Sequence, residues 1–124
     1  MIKLLLVEDD ANLSYIIQGG LEDMIGGYEV IIACNGKEGL EKYRQVKPDI
    51  IVADIEMPVM DGYEATAAIR ALPRQDVVRI PILALTANAF VTDVGKAKNA
   101  GMNDHITKPI NLEVLFATLY KWLV

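Results

Sequence analysis

Five short apolar runs alternate along the chain with longer stretches in which apolar residues recur at helical spacing. The runs cover residues 2–7, 28–34, 49–54, 80–86 and 104–107. The first, third and fourth runs are almost continuous in Ile, Leu, Val and Ala, which is typical of parallel strands buried on both faces. The second run carries Glu29 and therefore suits an edge position. This alternation predicts right-handed βαβ crossovers and a doubly wound α/β sheet of five parallel strands flanked by five helices.

Helix start and stop signals lie between these runs. Asn35 and Asp61 are each followed three residues later by Glu, which is the pattern of a helix N-cap. Gly101 has the position of a C-terminal glycine. Asn111 is predicted to cap a last helix, whose apolar stripe consists of Leu112, Leu115, Phe116, Leu119 and Leu123.

Two glycine pairs mark irregular places in the chain. Gly19 and Gly20 lie inside the first helical stretch, where each costs roughly 1 kcal/mol relative to alanine. We therefore expect a close approach of another element or a bend at that point. Gly26 and Gly27 are expected to end the helix and turn the chain into the second strand.

Length and charge restrict the class of protein. The 124 residues suit one domain spanning residues 1–124, and the net charge of −5 argues against nucleic acid as a direct partner. No apolar stretch approaches the ~20 residues that cross a bilayer, and the start is unlike a signal peptide. The single cysteine, Cys34, is expected to be a small buried residue, and its isolation fits a reducing cytoplasm. We thus expect a cytoplasmic protein with no membrane contact.

Reactive polar residues follow four of the five apolar runs. Glu8 and Asp9 follow the first, Asp54 ends the third, Thr86 ends the fourth and Lys108 follows the fifth. Ligands of open parallel sheets bind beyond the carboxyl ends of the strands. We therefore expect these side chains to meet in one cleft, whereas Asp10 is interpreted as a helix N-cap.

The acidic cluster predicts a hard cation. Two like charges at 4 Å repel by about 4 kcal/mol at an effective dielectric near 20, so either protonation or a divalent ion must relieve them. Oxygen ligands without His or Cys indicate Mg²⁺. A carboxylate can also attack phosphorus, and Asp54 is the best candidate because an accessible loop, residues 55–61, follows it. Lys108 and Thr86 would then meet the transferred oxygens.

At these residues the sequence resembles the receiver domain of two-component response regulators, over residues 3–122. The most specific segments read LVEDD at residues 6–10, DIEMPVMDG at 54–62, LTANA at 85–89 and AGMNDHITKP at 100–109. The resemblance implies a flavodoxin-like sheet with strand order 2-1-3-4-5, like that of the chemotaxis regulators. The segments TANA and NDH are similar to those of receivers attached to hybrid histidine kinases.

The resemblance also implies a role for each site residue. Asp54 would accept phosphate from the phosphohistidine of a sensor histidine kinase or a histidine phosphotransfer protein, in a phosphorelay. Glu8, Asp9, Asp54 and the backbone carbonyl of Glu56 would hold Mg²⁺. Lys108 would pair with the phosphoryl group, and the peptide bond before Pro109 would be cis.

The same resemblance implies a switch. Thr86 would move toward the phosphoryl group and repack residue 105, where receivers usually carry Tyr or Phe and this chain carries His105. The imidazole either fills the same space or makes the switch sensitive to pH near neutrality. The face formed by the fourth helix, fifth strand and fifth helix would bind a downstream effector or a second copy of the chain. On that face, Phe90, Val91 and Tyr120 are either partner contacts or core.

Glu56 and Asn88 each lie two residues beyond a site residue, and we expect them to tune hydrolysis of the acyl phosphate. The chain itself is expected to turn over no independent substrate. The alternatives are a Mg²⁺-dependent phosphatase of the haloacid-dehalogenase type, which also forms an aspartyl phosphate, and a receiver that is part of a hybrid histidine kinase. In a phosphatase of this type the acidic pair would be Asp54 and Glu56. Against this alternative, the sequence predicts no cap domain to cover a substrate.

Overall fold

The computed structural model describes residues 1–57, 59–87 and 91–123, with only the backbone described for residues 91–94. Five parallel strands form one sheet in the order β2-β1-β3-β4-β5. The strands are β1 (Ile2–Val7), β2 (Tyr28–Ala33), β3 (Ile50–Asp54), β4 (Ile82–Thr86) and β5 (Asp104–Thr107). The α-helices are α1 (Ala11–Gly19), α2 (Gly36–Gln45), α3 (Gly62–Arg70), α4 (Val91–Ala100) and α5 (Leu112–Leu123). A π-helical segment (Gly20–Ile25) continues α1, and a 3₁₀ turn (Gln75–Val78) precedes β4.

This architecture confirms the predicted doubly wound sheet, its strand order and the edge position of β2. The strand ends differ slightly from the prediction. The fourth strand begins at Ile82 rather than at residue 80, because Pro81 has no N–H to donate to a neighbouring strand. Its carbonyl still accepts a hydrogen bond of 2.9 Å from the backbone N–H of Ile51.

The sheet separates two apolar layers, and the central strands contribute to both. One layer packs Leu6 and Val52 against α1 and α5, which contribute Ile17, Leu115 and Leu119. The other layer packs alternate residues of the same strands, among them Leu5, Ile51 and Ile82, against side chains of α2, α3 and α4. All five residues of β3 and all five of β4 are buried, which explains why their apolar runs are continuous.

The irregular glycines follow the expectations only in part. At Gly20 an added Cβ would lie 3.2 Å from the side chain of Leu112, so α5 approaches the backbone closely there. At Gly19 the space is open. Gly26 and Gly27 have φ angles of +77° and +84°, and they turn the chain into β2 as expected.

Side chains cap the helices at the predicted positions. Asp10 accepts hydrogen bonds from the backbone N–H groups of the first turn of α1, and Asn35 accepts one at α2. Asp61 and Glu64 form a reciprocal capping box at α3, and Asn111 caps α5. The expectation for Cys34 was wrong, because this residue is exposed. Cys34 comes directly after the last residue of β2, an edge strand, so its place in an apolar run does not mean that it is buried.

Candidate functional site

The carboxyl ends of β1, β3, β4 and β5 lie along one edge of the sheet. Asp54 pairs in register with Leu85, and Thr86 pairs with Thr107. The backbone N–H of Lys108 donates to the carbonyl of Thr86 over 2.7 Å. This register brings the polar residues that follow the four strands to the same edge, as the sequence predicted.

Three carboxylates converge at this edge. Glu8, Asp9 and Asp54 each offer one oxygen, and these oxygens all lie within 4.8 Å of one another. Glu8 and Asp54 are buried, with 1% and 3% of their surface exposed, whereas Asp9 is exposed. The cluster is therefore open to a ligand on the side of Asp9 and closed by the sheet below.

Lys108 is the cation of the site. Its Nζ donates a hydrogen bond of 2.9 Å to Asp54 Oδ2 and lies 3.1 Å from Glu8 Oε1. Burial lowers the pKa of Lys108, but the hydrogen bond to Asp54 and the close negative charges of Asp54 and Glu8 outweigh that effect, and the net shift is upward. The ammonium group therefore stays charged between two buried carboxyl groups.

One ammonium group does not relieve three acids. The pKa of Glu8 is raised to about 7, chiefly by burial and also by the neighbouring charge of Asp54, although the Asp10 N–H and Lys108 oppose this shift. Glu8 Oε2 accepts a hydrogen bond of 3.0 Å from Asp10 N–H. Glu8 Oε1 is buried and accepts no well-directed hydrogen bond from any residue in the described part of the chain, despite its proximity to Lys108.

Glu8 Oε1 is a buried carboxylate oxygen that has an ion-pair contact with Lys108 but no well-directed hydrogen bond from the described residues, and beside two further carboxylates it suits a divalent cation. The donors are all oxygen atoms, which is the ligand class that Mg²⁺ selects. Glu8, Asp9 and Asp54 would hold the ion, which when bound would neutralise negative charge on transferred phosphoryl oxygens.

The loop after β3 orients the carboxylate of Asp54. The backbone N–H of Glu56 donates a hydrogen bond of 2.9 Å to Asp54 Oδ1, while Lys108 holds Oδ2. The side chain of Glu56 is exposed. Thr86 is buried at the neighbouring strand end, and the Lys108–Pro109 peptide bond is cis, as the resemblance implied.

His105 lies apart from the carboxylate cluster, on β5. Its ring is partly exposed, and Nδ1 lies 3.8 Å from Asp104 Oδ1. Tyr120 on α5 is 69% exposed and is therefore not core. Asn88 and Phe90 lie outside the described residues, as does the side chain of Val91.

Asp104 joins β5 to the end of α5, a contact that the sequence analysis missed. Its Oδ2 accepts a hydrogen bond of 2.9 Å from the indole N–H of Trp122, and Lys121 Nζ lies 3.6 Å away. Burial raises the pKa of Asp104, but the indole, the backbone N–H of His105 and Lys121 together lower it below its ordinary value. No local sequence pattern connects residues so far apart.

Together, the sheet and the site define a class of protein: a doubly wound domain that carries a magnesium-type carboxylate cluster, with a lysine, at the carboxyl edge of its strands. Comparison with known proteins identifies the family. The family model for the response regulator receiver domain matches residues 4–120. The chain therefore belongs to the response regulator receiver domain family, whose members act in two-component signalling.

Individual relatives agree with this assignment. The chain is 36% identical to hybrid signal transduction histidine kinase I of Dictyostelium discoideum over 94% of its own length but only 7% of that kinase. The chain thus spans a small fraction of this curated relative.

Solved structures support the same family. Chemotaxis protein CheY4 of Vibrio cholerae superposes with a TM-score of 0.92 at 34% identity, covering 99% of each chain. The receiver domain of sensor histidine kinase PA1611 of Pseudomonas aeruginosa gives a TM-score of 0.87 at 36% identity, covering 98% of this chain and 97% of that one. That structure contains a magnesium ion coordinated in its active-site cleft.

Within the described residues of the present chain, no helix has the length and apolar character required to cross a membrane.

Proposed function

We propose that Asp54 accepts a phosphoryl group from the phosphohistidine of a sensor histidine kinase or a histidine phosphotransfer protein, in a reaction that requires Mg²⁺. The observation that carries this proposal is the convergence of Asp54, Lys108 and the buried carboxylate of Glu8 at one edge of the sheet. Phosphoryl transfer to a carboxylate uses a nucleophilic oxygen, a fixed cation and oxygen ligands that can hold a metal ion, and these residues supply all three.

The contacts of Asp54 determine how it would react. One carboxylate oxygen forms the bond to phosphorus as the bond between phosphorus and the imidazole nitrogen breaks, and the imidazole leaves on the donor protein. The backbone N–H of Glu56 and the ammonium group of Lys108 hold the carboxylate in one orientation. Lys108 stays within reach of the new phosphoryl oxygens because its charge is already held at Asp54 Oδ2.

Phosphorylation would change the charge that the neighbouring strand ends experience. An acyl phosphate carries about −1.5 to −2 charge and adds strong acceptor oxygens. Thr86 would hydrogen-bond to one of these oxygens, and its movement would be transmitted through β4 to His105 on the adjacent β5. The face formed by α4, β5 and α5 would then bind an effector or a second copy of the chain. Exposed Tyr120 would contribute to that contact.

The donor protein would approach over a groove beside Lys108. This groove has a volume of about 340 Å³. It is lined by Asp10, Asn12, Leu13, Ile16, Lys108, Pro109 and Ile110. Its apolar side chains on α1 suit the helix of a histidine-bearing partner, which would place the phosphohistidine over Asp54. We also propose a cytoplasmic location, where such donors act.

The backbone carbonyl of Glu56 is proposed as a further Mg²⁺ ligand. The exposed side chain of Glu56, together with Asn88, is proposed to control the access of water to phosphorus. Replacement of both side chains by Ala should change the decay rate of the acyl phosphate, and an unchanged rate would contradict this role.

Intact mass spectrometry after treatment with phosphoramidate and Mg²⁺ tests the main proposal, because this donor also contains a P–N bond. Wild-type protein should gain about 80 Da, the mass of one phosphoryl group. Asp54→Asn should not gain it, whereas Asp23→Asn, which changes an exposed acid away from the site, should behave as wild type. An equal gain in Asp54→Asn would overturn the assignment. Rapid turnover of p-nitrophenyl phosphate would favour the phosphatase alternative.

A further inference from the structure

Gly36 at the start of α2 contacts the loop that follows the proposed phosphoacceptor. Its backbone N–H donates a hydrogen bond of 3.0 Å to the carbonyl oxygen of Met60. A Cβ at Gly36 would overlap that same carbonyl oxygen and would lie 2.8 Å from Met60 Cγ. The backbone of residue 60 is too close for any side chain at position 36, so a larger residue must displace the loop.

The same loop is confined at its other end. It runs over residues 55–61, between Asp54 and Gly62, and Pro58 within it is not described. A Cβ at Gly62 would lie 2.5 Å from the carbonyl oxygen of Asp54 and 3.0 Å from Ile55 Cα. Two glycines on different helices therefore hold the loop against the end of β3.

The loop is also held in a strained shape. Val59 has a φ angle of +72°, in the left-handed region that β-branched residues rarely adopt. Such a conformation persists only where the surroundings fix it. The residue after Val59, Met60, accepts the hydrogen bond from the Gly36 N–H. The residue after that, Asp61, forms the capping box with Glu64. Contacts from α2 and α3 therefore maintain the shape of the loop.

The loop shape matters for the site because Glu56 belongs to it. The Glu56 N–H orients Asp54 Oδ1, and Glu56 also carries the proposed carbonyl ligand. We infer that Gly36 is a positioning residue for the Mg²⁺ and phosphoryl site: its close contact with Met60 fixes the loop that orients Asp54 and Glu56. This inference rests on the proposed function, and it assigns a role to a residue on α2 that acts through its contact with Met60.

Gly36→Ala, compared with Gly19→Ala, tests the inference. An added Cβ at Gly19 meets nothing within 4 Å, so this variant controls for the change from glycine to alanine in a helix. Calorimetric titration of the unphosphorylated protein with Mg²⁺ should show affinity about tenfold weaker in Gly36→Ala and unchanged in Gly19→Ala. With acetyl phosphate, the Mg²⁺ concentration for half-maximal phosphorylation should rise by a similar factor, while the rate at saturating Mg²⁺ stays within about twofold.

A merely structural role for Gly36 would lower the unfolding temperature and leave the Mg²⁺ affinity of the folded protein at the level of Gly19→Ala, and that result would overturn the inference. If Gly36→Ala fails to fold, the double variant Gly36→Ala/Val59→Gly gives the loop freedom to move away from the methyl group, and its Mg²⁺ affinity should still be weak. Wild-type protein that binds Mg²⁺ but is not phosphorylated would contradict the proposed function, whereas the calorimetric comparison would still decide the role of Gly36.

Discussion

Charged side chains at the two edges of the same sheet have different hydrogen-bonding surroundings. At the amino edge, the guanidinium of Arg70 donates five hydrogen bonds, all to neutral oxygens. Its acceptors are the carbonyls of Val77, Ile80 and Gly101 and the side-chain oxygen of Asn103. At the carboxyl edge, Glu8 keeps a buried oxygen without a well-directed hydrogen bond from the described residues.

A second set of polar side chains at the amino edge is also joined by hydrogen bonds. The buried hydroxyl of Tyr43 donates a hydrogen bond of 2.6 Å to Asp76, and Arg74 donates two more to the same carboxylate. The Arg74 guanidinium also lies 4.5 Å from the centre of the Tyr43 ring. Burial and the hydrogen bond to Asp76 both raise the pKa of Tyr43, so its hydroxyl remains a donor.

This contrast separates stability from function. Arg70 and Arg74 connect the segments that lead into β4 and β5, so the amino edge fixes the sheet. The carboxyl edge retains electrostatic repulsion between carboxylates, and a bound cation would relieve it, so relief of this repulsion would favour cation binding. Loss of a charged group should therefore cost more folding stability at the amino edge.

Arg70→Met should have the largest effect on folding. The variant keeps much of the aliphatic volume but removes the Arg70 donor from the carbonyls of Val77, Ile80 and Gly101, and we expect a loss of about 3 to 4 kcal/mol in the free energy of unfolding. Asn103 Oδ1 would keep its hydrogen bond from the backbone N–H of Ile82. Urea denaturation followed by circular dichroism would measure it.

Arg79→Met is the matched control, because Arg79 is an exposed arginine in the same region. It should change the free energy of unfolding by less than about 0.5 kcal/mol. The contrast between the two edges would fail if Lys108→Met, at the carboxyl edge, destabilised the protein more than Arg70→Met.

The dependence of stability on pH should reveal the repulsion at Glu8. In the unfolded chain this carboxyl group ionises near its ordinary pKa of 4.5, whereas in the folded chain the pKa is raised to about 7. Between these values the folded state binds the extra proton, so the contribution of Glu8 to stability falls as pH rises from about 4.5 to 7. The full decline would be up to about 3 kcal/mol in the absence of Mg²⁺.

Glu8→Gln isolates this contribution, because the amide cannot ionise. The free energy of unfolding of wild type and of Glu8→Gln would be measured in EDTA across this pH range. Wild type should lose stability relative to the variant as the pH rises, so that the variant is favoured at pH 7. Saturating Mg²⁺ should reverse the preference, because the ion binds the ionised carboxylate. A difference that does not vary with pH would show that the charge of Glu8 is already relieved in the metal-free protein.

The carboxyl edge could be predicted from the sequence and the amino edge could not. Apolar runs marked the strands, and the geometry of parallel sheets then brought Glu8, Asp54 and Lys108 together. Arg70 and Asn103 carry no local pattern, because their contacts join segments about thirty residues apart in a way that depends on loop conformation. Cys34 was misjudged for a related reason, since an apolar run does not reveal where an edge strand ends.

Tyr43→Phe should have the smallest effect of the three changes, and it tests whether the amino edge depends on every hydrogen bond. The substitution removes only the hydroxyl, so the ring keeps its packing and its contact with Arg74, which continues to pair with Asp76. We expect a loss of about 1 kcal/mol, the typical net contribution of one hydrogen bond. Denaturation at pH 7 would measure it, with Tyr120→Phe as the control because Tyr120 is exposed. A loss as large as that of Arg70→Met would mean that Tyr43, Arg74 and Asp76 act as one cooperative network, whereas no loss would show that Arg74 alone satisfies the carboxylate.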